Sequence, residues 1–251
     1  MIELRNLTVD YEDKRAVSDF SAVFKNGNLT VLSAPNGGGK SSLLRAVAGL
    51  QEKTSGEILI DGADSSSITR NELAKKITYM AQNRNTPNIQ AKRMVLHGRF
   101  PYLSYPRRYR KEDFEAAQRA LIEADAADIA DKFVPDLSGG QRQRVYLAMA
   151  LAQDTNNILL DEPLNFLDVR HQLELMSLAK RLTEDGKAVV MVIHDIRLAM
   201  QEADEIAVMN KGELAYFGTP DDIYETDVID EVFGIGLEYV ETPLGRRYYY
   251  R

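Results

Sequence analysis

Lys40 and Ser41 close the run Pro35-Asn36-Gly37-Gly38-Gly39-Lys40-Ser41-Ser42, and these residue types in this order suit a chain of phosphates. Backbone N–H groups cradle dense negative charge only where side chains keep clear, which glycines allow. Lys40 supplies a point charge for the β- and γ-phosphates. The Ser41 hydroxyl, at the positive end of the helix it would open, is suited to Mg²⁺. A strict form of this loop has glycine where the chain has Ala34; alanine lacks glycine's freedom at positive φ, so a mildly strained turn is expected there. Farther along, Ile158-Leu159-Leu160-Asp161-Glu162 is an apolar run ending in two acids. A buried strand holds its last residues rigidly, so Asp161 is expected to hold Mg²⁺ and Glu162 to poise an attacking water. Two adjacent acids also suit a helix N-terminus. His194, after Val192-Ile193, offers an imidazole at a strand end for a γ-phosphate or for a backbone partner. His97 and His171 have no such setting and are read as structural or solvent-exposed.

The elements that position these groups are legible as patterns. Residues 29–33 read as a strand entering the glycine loop, and residues 41–50 as a helix with Leu43, Leu44, Val47 and Leu50 at helical spacing. Residues 56–61 read as a strand ending in an Asp61-Gly62 turn, and residues 77–81 as another short strand. Between about 83 and 153 strand signals fade; residues 113–124 place Phe114, Ala117 and Leu121 on one helical face, and residues 141–153 are helix-like. Strand character returns at 158–160 and 189–193 as continuous apolar runs, the mark of parallel strands buried on both faces. Residues 204–210, with the turn Lys211-Gly212-Glu213, read as a strand and a turn. The tail, ending Tyr248-Tyr249-Tyr250-Arg251, is read as a solvated or dimer-packing terminus.

Composition bounds the function. The chain has 251 residues, a net charge of -7 and no cysteine. One large α/β domain with room for an inserted subdomain is expected. The charge argues against binding nucleic acid through bulk charge. Without cysteine there is no disulfide framework and no thiolate metal site. The start lacks the pattern of a signal peptide, and no apolar run is long enough to span a bilayer. A peripheral subunit on the cytoplasmic face of the cell membrane is therefore the expectation for any membrane role.

The segment Leu137-Ser138-Gly139-Gly140-Gln141 binds these pieces together. Ser138 offers a hydroxyl, the glycines allow close backbone approach, and a helix would begin at Gln141. With the glycine loop before it and Asp161-Glu162 after it, it makes the chain resemble the ATP-binding-cassette (ABC) family of ATPases from Ile2 to about Pro220. The resemblance implies an α/β P-loop NTPase core over about 1–82 and 156–220, a helical subdomain over about 83–155, and a C-terminal extension over about 221–251. It implies ATP and Mg²⁺ as ligands, with Gln82 touching metal and water and its loop sensing a membrane partner. Lys40, Gln82, Glu162 and His194 would be the catalytic set, with Ser41, Gln82 and Asp161 at the metal. Asn36, Gly37, Gly38, Gly39, Lys40, Ser41 and Ser42 would hold the phosphates. A head-to-tail homodimer follows, in which Ser138, Gly140 and Gln141 cap ATP held by the other subunit and Asp168 crosses the interface. Tyr11 falls where the family stacks an aromatic ring on adenine, and is equally suited to strand packing. After the signature, Met149 stands where many relatives carry arginine.

Two further segments, His97-Gly98-Arg99-Phe100-Pro101-Tyr102-Leu103 and Leu164 to Gln172, are similar to ATPase subunits of importers for ferric siderophores, haem and cobalamin. The function implied is ATP hydrolysis that drives transmembrane permease subunits, with an external substrate-binding protein involved indirectly and no nucleic acid. Ferric siderophores are the favoured cargo, with haem or cobalamin as alternatives. The basic run Arg107-Arg108-Tyr109-Arg110-Lys111 is read as a solvated face, with contact to the membrane partner or anionic lipid as the other possibility. A soluble mechanical ATPase acting on DNA or ribosomes is the alternative of another class; the single cassette without heptad run or cysteine disfavours it. A nucleotide-binding regulator without hydrolysis is disfavoured by the complete catalytic set.

Overall fold

The computed structural model describes residues 1–11, 14–82, 86–243 and 245–251. The chain opens with two long antiparallel strands, β1 (Ile2–Tyr11) and β2 (Lys14–Phe24). The all-buried strand β3 (Leu29–Ser33) then feeds the glycine loop and helix α1 (Lys40–Val47). Next come β4 (Ser55–Ile60), the short β5 (Ala63–Asp64), the one-turn helix α2 (Arg70–Leu73) and β6 (Ile77–Met80). Helices α3 (Ala91–Leu96), α4 (Lys111–Glu123) and α5 (Gly139–Ala152) follow, before β7 (Asn157–Leu160) returns to the sheet. Then come α6 (Val169–Glu184), β8 (Ala188–Val192), α7 (Ile196–Glu202), and the hairpin of β9 (Glu205–Asn210) and β10 (Glu213–Gly218). The tail folds into α8 (Pro220–Tyr224), α9 (Val228–Phe233) and a second hairpin, β11 (Leu237–Thr242) with β12 (Gly245–Tyr250).

Two sheets build the core. The first is antiparallel, in the order β2-β1-β4-β5. The second has the order β10-β9-β3-β8-β7-β6 and is parallel except at β10. Its central strands are buried along their whole length, and side chains alternate between two cores. Ile158, Leu160, Val189, Met191, Ile206 and Val208 face the helices α5, α6 and α7. Leu159, Val190, Val192, Ala207 and Met209 face α1 and the antiparallel sheet. Each such Val, Leu, Ile or Met side chain contributes about 1.5–3 kcal/mol on burial. The strand ends at Ser33, Met80, Leu160 and Val192 therefore rest on a rigid platform.

Several boundaries differ from the sequence expectation. Helix α1 stops at Val47 rather than residue 50: Gly49 lies at φ +69°, the Gly49 and Leu50 N–H groups turn back to donate to the Ala46 and Arg45 carbonyls, and the Leu50 side chain is exposed. The turn expected at Asp61-Gly62 is present: β4 ends at Ile60, and Asp61 and Gly62 both have positive φ and lead into β5. Phe114 does not share the burial of Ala117 and Leu121; it is exposed and packs edge-on against Tyr109. That Tyr109 is half-buried also qualifies the solvated reading of the basic run, whose Lys111 pairs with Glu115. The tail is not simply solvated: Tyr224, Tyr239 and Tyr248 form an aromatic triangle with centroids 4.9–6.1 Å apart.

Candidate active site

Gly39 shows why the loop before α1 has its composition. It lies at φ +94°, and a Cβ there would meet the Ala16 carbonyl oxygen at 2.2 Å. A Cβ on Gly38 would meet the Ala34 methyl at 2.7 Å. Ala34 itself is buried and is not among the residues with positive φ, so the strain expected at that position does not arise. Lys40 is buried, and its Nζ donates to the Ala34 and Pro35 carbonyls at 2.8 and 3.2 Å. Burial pushes the Lys40 ammonium down, while the charges of Glu162 and Asp161 pull it back up. Ser41 and Ser42 are half-buried beside it, and Asn36 and Gly37 face outward.

Strand β7 ends at Leu160, directly before Asp161. Asp161 is 1% exposed. Its Oδ2 accepts from the Tyr79 hydroxyl at 3.0 Å, while Oδ1 is buried without a hydrogen-bond partner. Burial raises the Asp161 carboxyl above the usual carboxylate range, and the Ser41 and Tyr79 hydroxyls offset this only in part. A hard-oxygen pair of carboxylate and hydroxyl, with one acceptor left bare, fits Mg²⁺.

Glu162 has φ +52°, an uncommon backbone for a residue with a side chain. Three side chains converge on it. Gln82 donates from Nε2 to Oε2 at 2.5 Å, Asn165 donates from Nδ2 to the same oxygen at 2.6 Å, and His194 Nε2 lies 2.7 Å from Oε1. Gln82, Glu162 and His194 come from three different segments, and the parallel order β8-β7-β6 places their strand ends side by side. Asn165 and Tyr79 were missed by sequence reasoning. Asn165 follows Glu162 by three residues, but nothing local shows that the loop turns back on itself.

Ser138 caps α5: its Oγ accepts from the Gln141 backbone N–H at 3.3 Å, and Gln141 Oε1 accepts from the Ser138 N–H at 3.0 Å. Gly139 and Gly140 lie against Phe166, where added Cβ atoms would approach to 3.4 and 3.2 Å. Among the described residues, no hydrogen bond or ion pair links residues 138–141 to the glycine loop. Asp168 caps α6 and is exposed; its Oδ1 accepts from the His171 N–H at 3.0 Å and lies 2.7 Å from the His171 ring Nδ1. His171 is thus a partner of Asp168, a role its sequence setting did not show. The N–H of His171 holds the Asp168 carboxyl below its ordinary range, with the ring adding to this. Tyr11 is half-exposed at the end of β1, paired with Lys14. Met149 is partly buried, and its carbonyl would meet a Cβ on Gly98 at 2.3 Å.

Residues 17–165 match the model of the family described as ABC transporter. The chain belongs to the ABC transporter family. The petrobactin import ATP-binding protein YclP of Bacillus subtilis is 41% identical over 94% of either chain. The ferric enterobactin transport ATP-binding protein FepC of Escherichia coli is 34% identical over 95% of this chain and 89% of its own. Among solved structures, a dimeric bacterial ABC transporter cassette is similar at 31% identity, with a TM-score of 0.78 over 88% of this chain and 99% of that one. The same cassette is known in a post-hydrolysis state bound to ADP and Pi. As an ABC cassette this chain is an ATP-binding, ATP-hydrolysing enzyme of α/β P-loop architecture, similar to the siderophore-import branch of the family. Among the described residues, no helix is long and apolar enough to cross a membrane.

Proposed function

We propose that this ABC cassette is the ATPase subunit of a membrane importer for ferric siderophores. It works as a homodimer on the cytoplasmic face of a transmembrane permease, and an external binding protein delivers the cargo. The observation that carries the chemistry is the convergence of Gln82, Asn165 and His194 on Glu162, beside the buried Asp161. A carboxylate held from several sides at a strand end is suited to orient a water for attack on a γ-phosphate.

The parts act as follows. Lys40 exchanges the Ala34 and Pro35 carbonyls for phosphate oxygens, which suits a buried ammonium better than neutral acceptors do. The N–H groups of residues 36–42 cradle the phosphates, and Tyr11 stacks on the adenine. Ser41, Asp161 and Gln82 would hold Mg²⁺, which neutralises charge on the phosphates. Glu162 takes or polarises the proton of the attacking water, and His194 donates a hydrogen bond to the γ-phosphate. Ser138, Gly140, Gln141 and Asp168 complete the site of the second subunit; that no hydrogen bond or ion pair among the described residues joins signature and glycine loop within one chain supports this. ATP then acts as a ligand of the closed dimer. A cavity of about 350 Å³ next to Gln82, lined by Tyr79, Ala81, His97, Phe100 and Tyr146 among others, is a suitable seat for a permease segment. The helical region over about 83–155 would pass motion between them.

The cargo rests on the relatives, which serve petrobactin import and ferric enterobactin transport. Haem or cobalamin remain alternatives for the same machine. Action on DNA or ribosomes is disfavoured by the net charge of -7. The test is Glu162→Gln expressed in cells, trapped with ATP and gently solubilised. Co-purification of a polytopic membrane protein, with turnover reduced about 10²–10⁴-fold, supports the reading. Recovery with DNA or ribosomes alone, or normal turnover, refutes it. Uptake assays on the recovered permease then distinguish siderophore from haem and cobalamin.

A further inference from the structure

Asp195, the residue after His194, is gripped by the C-terminal hairpin. The Tyr250 hydroxyl donates to Asp195 Oδ1 at 3.1 Å. The Arg197 guanidinium lies 4.6 Å over the Tyr250 ring and meets Asp195 twice, Nε to Oδ1 at 3.2 Å and an η-nitrogen to Oδ2 at 2.8 Å. Asp195 Oδ1 also caps α7 through the N–H groups of Arg197 and Leu198. One carboxylate therefore joins strand β12, helix α7 and the residue that carries the His194 backbone. Burial pushes the Asp195 carboxyl up, but the bonds from Arg197 and Tyr250 outweigh it and hold it below the usual range.

The hairpin is itself anchored. Arg246 pairs with Asp221 at 2.7 Å and Glu241 at 3.1 Å, and stacks on Tyr239 at 4.3 Å. The Tyr248 hydroxyl donates to Asp221 Oδ1 at 3.3 Å. Tyr250 thus projects from a braced strand, whereas β8 ends at Val192 and leaves His194 outside the sheet ladder. An imidazole beyond a strand end keeps its direction only if its flanking backbone is held.

We infer that Tyr250 and Arg197 are positioning residues for ATP hydrolysis: through Asp195 they fix the backbone on which His194 reaches Glu162 and the γ-phosphate. This inference rests on the role proposed for His194. It extends the working site to the C-terminal hairpin, about 55 residues away in sequence. A ligand or partner that displaced β12 would then slow hydrolysis without touching the nucleotide.

The experiment uses the full chain and compares Tyr250→Phe with Tyr248→Phe. The first removes only the hydroxyl on Asp195. The second loosens the same hairpin at Asp221 and leaves the grip intact. With three histidines in the chain, the ring resonances of His194 are assignable by their loss in His194→Ala. Tyr250→Phe is expected to shift them while those of His97 and His171 stay in place, and to lower kcat about fivefold at unchanged KM for ATP. Tyr248→Phe is expected to move neither. Unmoved His194 signals in Tyr250→Phe, equal movement in both variants, or a parental kcat in Tyr250→Phe overturns the inference. A His194→Ala enzyme at the parental rate removes the role of His194 as well. A slow His194→Ala beside a parental Tyr250→Phe removes the positioning role alone.

Discussion

Asn165 donates a 2.6 Å hydrogen bond from Nδ2 to Glu162 Oε2, the oxygen that Gln82 also reaches. The bond spans three residues of a loop in which Glu162 and Phe166 both have positive φ. The loop is thereby folded back on its own carboxylate. Asn165→Ala removes one of three restraints on Glu162. Its kcat is expected to fall by up to about tenfold, with KM for ATP little changed. Steady-state hydrolysis across ATP concentrations measures this, and a rise in KM at constant kcat would assign Asn165 to nucleotide binding instead.

Asp161 couples metal binding to pH. Burial raises its carboxyl above the usual range, so the folded protein holds this proton more tightly than the unfolded chain does. Its contribution to stability is full below the unfolded value and is lost as pH rises through the raised folded value. Mg²⁺ requires the deprotonated carboxylate, so its stabilising effect runs the other way. The rise in melting temperature on adding MgATP should be larger at neutral than at acidic pH. In Asp161→Asn that pH dependence should be much reduced; thermal melts with and without MgATP at several pH values decide it.

Gly39 permits no side chain. A methyl there would lie 2.2 Å from the Ala16 carbonyl oxygen, on a backbone at φ +94°. Gly39→Ala is expected to cost about 1–3 kcal/mol from backbone strain, with the clash adding to this. It should also weaken ATP binding. Urea unfolding and nucleotide titration give the two values. Gly62→Ala is the comparison, because it has positive φ but no atom within 4 Å of the added methyl.

Arg99 and Asp113 form a nearly buried ion pair at 3.1 Å, with Arg99 also donating to the Ala152 carbonyl at 3.0 Å and stacking on Tyr102. It ties the turn after α3 to α4 and α5. Asp113→Ala leaves the guanidinium without its counter-charge and is expected to cost about 3–5 kcal/mol. Replacing both, as Arg99→Met with Asp113→Ala, should cost less than the single change. Denaturant unfolding of the three variants measures the coupling.

Much of the fold was legible because its signals are local. A continuous apolar run at 189–193 indicates a strand buried on both faces, and strand, glycine loop and helix follow one another within residues 29–47. The errors were local too. Leu50 fits the helical period but lies beyond Gly49, and Phe114 fits the face of Ala117 yet is exposed. Periodicity states which residues share a stripe; it does not state where the neighbouring helix ends.

By itself the sequence determined the family, the α/β class, and the residue types at the candidate site. These depend on short motifs whose spacing is set by a single turn or strand end. Only the tertiary structure decided which of those residues touch. Gln82 and Glu162 are 80 residues apart, Tyr79 and Asp161 are 82, and Asp195 and Tyr250 are 55. Such contacts follow from strand order, and strand order is fixed by which apolar faces bury each other across the whole chain. The relaxed backbone at Ala34 has the same origin: the loop places its left-handed turns at Gly37 and Gly39, and Gly38 lacks the methyl that would strike Ala34.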